Sequence, residues 1–341
     1  MLRKAFLTIV LTAAGIGVIA GLMYWTQTSL PVSSSNEEAL FVVAEGEGVK
    51  EIAQNLHDAG LIRSTYWFEA YVFFDGSETK FAVGSFFLKP SMDAGDIVEV
   101  LTTGQGAPER QITIIEGWTN AEIADYLQNQ GIADTSDFIS AVSTNDVSTI
   151  IPGAAYDFLE EIPTGKSLEG YLFPDTYRIF ENANTADIIE RMLDNFSVRF
   201  TDKMVADAAA GNMSVYNIVT LASIIEKEVR TDQDRKIAAG IFYERLDAGV
   251  ALQSDATVNY VTGNQALQPT IAETEIDNPY NTYRYAGLPP GPICNPSLSA
   301  ILAAIYPQKS DYFYFLTKPD GETVFSTTYE QHLENKQRYL Q

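Results

Sequence analysis

Glu226 and Glu228 lie two residues apart at the end of VYNIVTLASIIEKEVR, residues 215–230. The spacing predicts a helix there: Val215, Val219, Ala222 and Val229 recur on one face, and Ile218 and Ile225 broaden it. At about 100° per residue, Glu226 projects beside Val215, Val219 and Ala222, whereas Glu228 points to nearly the opposite side, toward solvent. A carboxyl held against apolar neighbours has its charged form disfavoured, so its pKa should rise. A glutamate still protonated near neutral pH is a usable general acid. The plainer reading makes Glu226 a rim residue with a packed stem and a wet head. Spacing alone leaves both readings open.

The rest of the chain narrows the chemistry. It has 341 residues, enough for two or three domains, and its 46% hydrophobic and 20% charged content is that of a globular protein. Its net charge of −23 repels phosphate backbones and provides no polybasic surface, which argues against nucleic acid as a partner. The two histidines, His57 and His332, give a Ser-His-Asp triad or a multi-histidine metal site little to draw on. One cysteine, Cys294, allows no internal disulfide, and no Gly-rich phosphate loop is present. No cofactor and no metal are expected.

Leu2-Arg3-Lys4 precedes an uncharged run, Ala5 to Trp25, and no charge follows until Glu37. Such a run can span a bilayer. A cleavable signal peptide would have a shorter apolar core and a small-x-small site, whereas here Met23-Tyr24-Trp25 closes the run as an interfacial anchor would. Arg3 and Lys4 place the N-terminus in the cytoplasm and the remainder outside. Gln27 to Glu38 reads as a polar linker.

A repeat follows. Phe41-Val42-Val43-Ala44-Glu45-Gly46 leads to Glu51-Ile52-Ala53 and Leu56, and 71 positions later Ile112-Thr113-Ile114-Ile115-Glu116-Gly117 leads to Glu122-Ile123-Ala124 and Leu127. Gly84 to Leu88 with Asp96 to Glu99 matches Asp175 to Ile179 with Asp187 to Glu190 at an offset of 91. The second copy thus carries about twenty extra residues, placed between Val142 and Ser167. A duplicated strand–helix–helix–strand unit could be a spacer or a polymer-binding module.

From Thr201 the character becomes helical, with a second helix over 231–249. NPYNTYRYAGLPPGPICNP, residues 278–296, is a long Asn-, Tyr-, Gly- and Pro-rich loop of the kind that often carries function. Its tyrosines and asparagines could contact sugar rings or serve as turn and core residues. Tyr312 to Leu316, a Pro-Asp-Gly turn and Thr323 to Phe325 read as a β-hairpin, and a last helix runs from about 328 to 340.

Leu221-Ala222-Ser223-Ile224-Ile225-Glu226-Lys227-Glu228, then LQSDATVNY, NPYNTY and GLPPGPICNP, with Glu169-Gly170-Tyr171-Leu172-Phe173-Pro174-Asp175-Thr176-Tyr177 upstream, resemble the MltG (YceG-like) endolytic peptidoglycan transglycosylases of bacteria. The motifs occur in the same order over nearly the whole chain. Ala256 stands where that family usually has proline, and Thr323 where many members carry histidine.

The resemblance implies an α+β protein: cytoplasmic tail 1–4, transmembrane helix 5–25, linker 26–39, a LysM-like first repeat 40–110, a second repeat with an insertion 111–200, and a mainly helical catalytic domain 201–341 closed by a hairpin. It implies a single-pass enzyme of the bacterial cell membrane, its catalytic domain on the extracytoplasmic side. Its substrate would be nascent peptidoglycan strands, its neighbours peptidoglycan synthases. The catalytic glutamate of the family matches Glu226. It would protonate the glycosidic oxygen between MurNAc and GlcNAc, then take the proton of the muramic 6-hydroxyl as that group attacks C1, giving a 1,6-anhydro end without water. The nucleophile is tethered to the substrate, which is why one carboxylate suffices. Gln253 and Asp255 are the next candidates, for positioning substrate or supporting the transition state, and Asn281 and Tyr283 are candidates for sugar contacts. Two rivals are a muramidase-type hydrolase, with Asp255 activating water, and a non-enzymatic tethered glycan binder.

Overall fold

Helix α1 (Leu2–Thr28) opens the chain, and Val10–Thr28 within it is, among the described residues, the one helical stretch long and apolar enough by itself to cross a membrane. The structure is a computed structural model that describes residues 2–104, 106–264 and 268–340. It divides into two compact units, the first ending at Glu109 and the second beginning at Arg110.

After α1 the first unit runs β1 (Ala39–Val43), α2 (Val49–Asp58), α3 (Thr65–Asp75), β2 (Gly84–Leu88) and α4 (Ala94–Thr103). β1 and β2 pair antiparallel, from Ala39 opposite Leu88 to Val43 opposite Gly84. Phe41 and Val43 turn inward and Leu40 and Val42 outward, the period-two alternation of a strand with one buried face. With Ile52, Leu56, Phe68, Val72, Phe86, Ile97 and Leu101 they form this unit's own core. The stretch expected to be a linker is laid down on that unit. Ser33 N donates to Pro90 O at 3.0 Å, Arg63 Nη2 to Pro31 O at 2.6 Å and Ser91 Oγ to Asn36 Oδ1 at 2.8 Å.

β3 (Glu109–Thr113), α5 (Asn120–Asn129), α6 (Thr135–Val142), β4 (Thr176–Phe180) and α7 (Thr185–Arg199) follow, so the order strand–helix–helix–strand–helix occurs twice. The extra residues of the second copy lie between α6 and β4 and hold two single 3-10 turns, Val147–Thr149 and Asp157–Leu159. The local signals are the same in kind. Asp93 with Asp96, Thr119 with Glu122 and Asn184 with Asp187 are reciprocal capping boxes that start α4, α5 and α7.

The remaining elements are α8 (Asp202–Ala210), α9 (Val215–Glu228), α10 (Asp232–Asp247), α11 (Asp255–Thr262), α12 (Ile271–Thr274), α13 (Leu298–Ile305), the hairpin β5 (Tyr314–Thr317) and β6 (Thr323–Ser326), and α14 (Tyr329–Tyr339). One core runs from Ile112 to Ala304, straight across residue 200, where the sequence suggests a boundary. At its centre is α9, packed by α8, α10, α11 and α13. Val215, Tyr216 and every residue from Ile218 to Ile225 are buried, so over its first three turns α9 has almost no solvent face.

Asn295, in the proline-rich loop, ties distant segments together. Its Oδ1 accepts from Gly170 N at 3.0 Å and Leu172 N at 2.9 Å, and its Nδ2 donates to Trp118 O at 3.0 Å and Asn120 Oδ1 at 3.1 Å. The buried Glu169 accepts from Asn120 N at 3.0 Å, and burial pushes its carboxyl up to about 8. Gly170 has φ of +91°, and a Cβ there would come within 2.7 Å of Pro292 and Val219. Only glycine fits such a backbone at such a contact.

Candidate active site

The last turn of α9 gives its two glutamates different partners, although both line one cleft. Glu226 turns toward α10 and the start of α13. Arg235 Nη2 donates to its Oε1 at 2.7 Å, and Ser297 donates to Oε2 from both N, at 3.0 Å, and Oγ, at 2.5 Å. Ser297 is also the N-cap of α13, accepting from Ala300 N at 3.2 Å. The paired side chains are 9% and 7% exposed for Arg235 and Glu226, a buried ion pair with both carboxylate oxygens taken. Glu226 thus docks two helices onto α9. The apolar, unpartnered setting expected for its carboxyl is absent.

Glu228, expected to face solvent, turns instead into a cleft of about 510 Å³ whose walls include Arg245, Gln253, Ser254, Asp255, Tyr283 and Tyr314. Its Oε1 accepts from Ser254 Oγ at 2.5 Å, and its carboxylate also accepts from the backbone N–H of Ala256, in the first turn of α11. Burial outweighs these donors, and Asp255 adds like charge, so the carboxyl is pushed up to about 7. Glu228 keeps some accessible surface through the cleft while being densely surrounded. No cation bonds to it among the described residues; Arg245 acts on it only through space. Arg245 instead directs its guanidinium to Leu252 O, at 2.5 Å, and Phe313 O, at 3.1 Å, joining the wall to the hairpin.

Of the other predicted residues, three come together with Glu228. Gln253 lines the cleft with φ of +50°, a left-handed conformation that a residue other than glycine adopts at a cost. Its N–H donates to Thr282 O at 3.0 Å, so the strain is held by the neighbouring loop. Asp255 accepts from Tyr283 OH at 2.5 Å. Burial raises the Asp255 carboxyl above its usual range, against the pull of that bond and of Lys336, and burial with Asp255 raises the Tyr283 phenol. Asn281 is not in the cleft. It is 1% exposed, and its side chain is consumed in the loop: Nδ2 donates to Thr274 O and Ile276 O, and Oδ1 accepts from Tyr283 N. Its part is to hold the loop that presents Tyr283.

Sequence reasoning missed Ser254, Arg245, Tyr314, His332 and Lys336, which also line the cleft. His332 and Lys336 are one turn apart on α14, a spacing that signals a shared face but not what the face meets. Ser254 sits between two predicted residues and was legible from its neighbours. No group of His, Cys, Asp and Glu suited to a metal ion occurs among the described residues.

A family model described as "YceG-like family" matches residues 41–338. The chain belongs to the YceG-like family. A curated relative from Bacillus subtilis (strain 168), named endolytic murein transglycosylase, is 33% identical over 334 residues, covering 95% of this chain and 91% of the relative. A protein of the same name from Streptococcus pneumoniae serotype 2 (strain D39) is 32% identical over 360 residues, covering 97% of this chain and 64% of its own length. The crystal structure of a yceG-like protein from Listeria monocytogenes is 33% identical, with a TM-score of 0.58, covering 88% of this chain and 99% of that one. The YceG-like match begins within β1 and ends within α14.

Proposed function

We propose that this protein is a membrane-anchored endolytic peptidoglycan lytic transglycosylase whose general acid is Glu228. The names of its relatives support the reaction class, and the observation that carries the residue assignment is the state of the Glu228 carboxyl. It lies in the cleft, is raised to about 7 by burial and has no cation bonded to it among the described residues, so near neutral pH a large share of it holds a proton. The role that the sequence suggested for Glu226 passes in this reading to Glu228, because Glu226, which also lines the cleft, is paired with the Arg235 guanidinium and accepts from Ser297.

In this reading the Glu228 proton goes to the glycosidic oxygen between MurNAc and GlcNAc as the C1–O bond breaks. The Glu228 carboxylate then takes the proton of the muramic O6 as O6 bonds to C1. The glutamate ends as it began, and no water is consumed. Ser254 and the Ala256 N–H hold the carboxylate between the two steps, and the Asp255 carboxyl, oriented by Tyr283, supports the positive charge that develops on the sugar ring. α1 is the anchor, with Arg3 and Lys4 on the cytoplasmic side, and the repeats are LysM-like wall-binding modules; peptidoglycan synthases are the expected neighbours.

A second reading is supported by Asp255, a second carboxyl in the same cleft: as a base it would deliver water and make the protein a muramidase. The test is mass spectrometry of glycan fragments after incubation of peptidoglycan with the full chain and with Glu228→Gln. Anhydro-ended fragments from the wild type alone are expected. Reducing muramic ends would replace the lyase with the hydrolase, and undiminished cleavage by Glu228→Gln would remove Glu228 from the centre of the reaction.

A further inference from the structure

Helix α3 is apolar on two sides. Phe68 and Val72 are buried in the core of the first unit. On the other side Tyr66 stands 68% exposed and the adjacent Phe73 and Phe74, two helical turns on, 63% and 75%, with Trp67 half-buried next to Tyr66. Three large aromatic rings in one exposed stripe are more than scattered surface residues. The stripe is joined by ring contacts: Tyr66 meets Trp67 edge-on at 5.1 Å, and Phe73 meets Phe74 at 5.6 Å.

What covers the stripe is indicated by its neighbour. Tyr24, near the end of α1, contacts Trp67 at 6.0 Å and Phe74 at 6.2 Å, both edge-on. Beside it Trp25 is 55% exposed. The exit from α1 is not slack. Thr28 is buried, Arg63 donates to the carbonyls of Pro31 and Val32, and Ser33 bonds to Pro90. Arg63 stands just before α3, so the chain leaving α1 is clamped to that helix's own start. The aromatic stripe of α3 is therefore fixed beside the aromatic end of α1.

We propose that α3 is a membrane-seating helix: Tyr66, Trp67, Phe73 and Phe74 enter the headgroup–acyl boundary of the bilayer that α1 crosses, continuing the aromatic belt of Tyr24 and Trp25. This inference rests on the reading of α1 as an anchor. Tyr66 and Trp67 suit that depth, with the apolar ring buried and the polar tip wet, and Phe73 and Phe74 add wholly apolar surface. α3 contains Glu69 and Asp75 and no lysine or arginine, so the attraction is apolar and needs no anionic lipid.

The test uses the full chain in phosphatidylcholine nanodiscs, with plain or dibrominated acyl chains as a short-range quencher. Phe74→Trp adds a reporter at an exposed position, read as the increment over the parent with its three native tryptophans. Trp25→Phe gives the contribution of Trp25 as the corresponding decrement. Phe73→Trp is a second reporter should Phe74→Trp alter the thermal melt. Bromine quenching of both the Trp25 emission and the emission added by Phe74→Trp is the expected result. Quenching of Trp25 alone would leave the anchor standing and overturn the seat. Quenching of neither would overturn both. An added indole shielded from aqueous iodide but not reached by bromine would mean that protein, such as a second copy, covers the stripe, and would overturn the lipid assignment.

Discussion

Around Glu226 and around Glu228 the same helix end meets two kinds of surroundings. Between α10 and α13 the Glu226 carboxylate is enclosed by a guanidinium, a hydroxyl and a backbone N–H, so its charge is matched and its oxygens are used. In the cleft the Glu228 carboxyl has only neutral donors, Ser254 and Ala256, and burial without a bonded cation leaves its proton affinity high. Enclosure alone does not make a carboxyl an acid. What separates the two is whether a positive charge is enclosed with it. The matched carboxylate contributes to packing geometry, and the unmatched one costs the fold stability that the proposed reaction would return as reactivity.

The sharpest way to break this comparison is to neutralise each glutamate in turn. Glu228→Gln keeps the shape and removes the transferable proton, so kcat should fall by about 10²–10⁴ with KM little changed, measured by the rate of fragment release. Its stability should move the other way. The folded carboxyl holds its proton up to about 7 and an unfolded one only to its ordinary 4.5. The folded state therefore binds more protons between those values, and stability is lost as pH rises through 7, by roughly 3 kcal/mol in all. The amide should accordingly raise Tm at pH 8.5 and have little effect on it at pH 4. Glu226→Gln should do the opposite: it leaves Arg235 buried opposite a neutral group and should cost about 3 kcal/mol in urea unfolding, while protein that remains folded keeps its pH–rate profile. A Glu226→Gln protein as stable as wild type but inactive would invert the two roles.

Smaller effects sharpen the picture. The wild-type rate should fall about tenfold per unit once pH exceeds 7, as Glu228 loses its proton, seen in kcat against pH. Ala256→Pro removes the N–H that Glu228 accepts from. Proline is tolerated in a first helical turn, so the fold should hold while the falling limb moves to higher pH, by about half a unit to one unit. An unmoved limb would mean that the Ala256 N–H does not tune this acid.

The same contrast marks how far the sequence could be read. The helix over α9, its partner α10, the hairpin and the strand–helix–helix–strand order found in each half of residues 39–180 were legible because each rests on local signals: period, caps, turn residues. The different surroundings of Glu226 and Glu228 were not. Helical periodicity assigns a direction to each side chain, and on an ordinary surface helix those directions separate core from solvent. α9 is wrapped by four helices, so both directions lead into protein, and the partners that distinguish them, Arg235, Ser297 and Ser254, come from other elements. The place of Asn281 was hidden for a related reason: the residue type suits either a ligand or the loop's own carbonyls, and here the carbonyls of Thr274 and Ile276 hold it. The single core spanning residue 200 was hidden because composition changes there while packing does not.

Asn295 carries a consequence for how the chain reaches this state. Its side chain closes contacts across 123 to 177 residues of sequence. A chain made from its N-terminus presents Trp118, Gly170 and Leu172 long before Asn295 exists, on the order of ten seconds earlier at ordinary synthesis rates. Throughout that interval the backbone donors of Gly170 and Leu172 have no partner but water, and the second copy of the repeat lacks the clasp that closes its inner side. The first unit, whose core is complete by Leu101, can fold at once, whereas the second, running from Arg110 to Gln341, must wait for its last fifth. Slow, late closure of such long loops makes the second unit the place where folding stalls, and the protein most in need of protection from aggregation is the one still emerging.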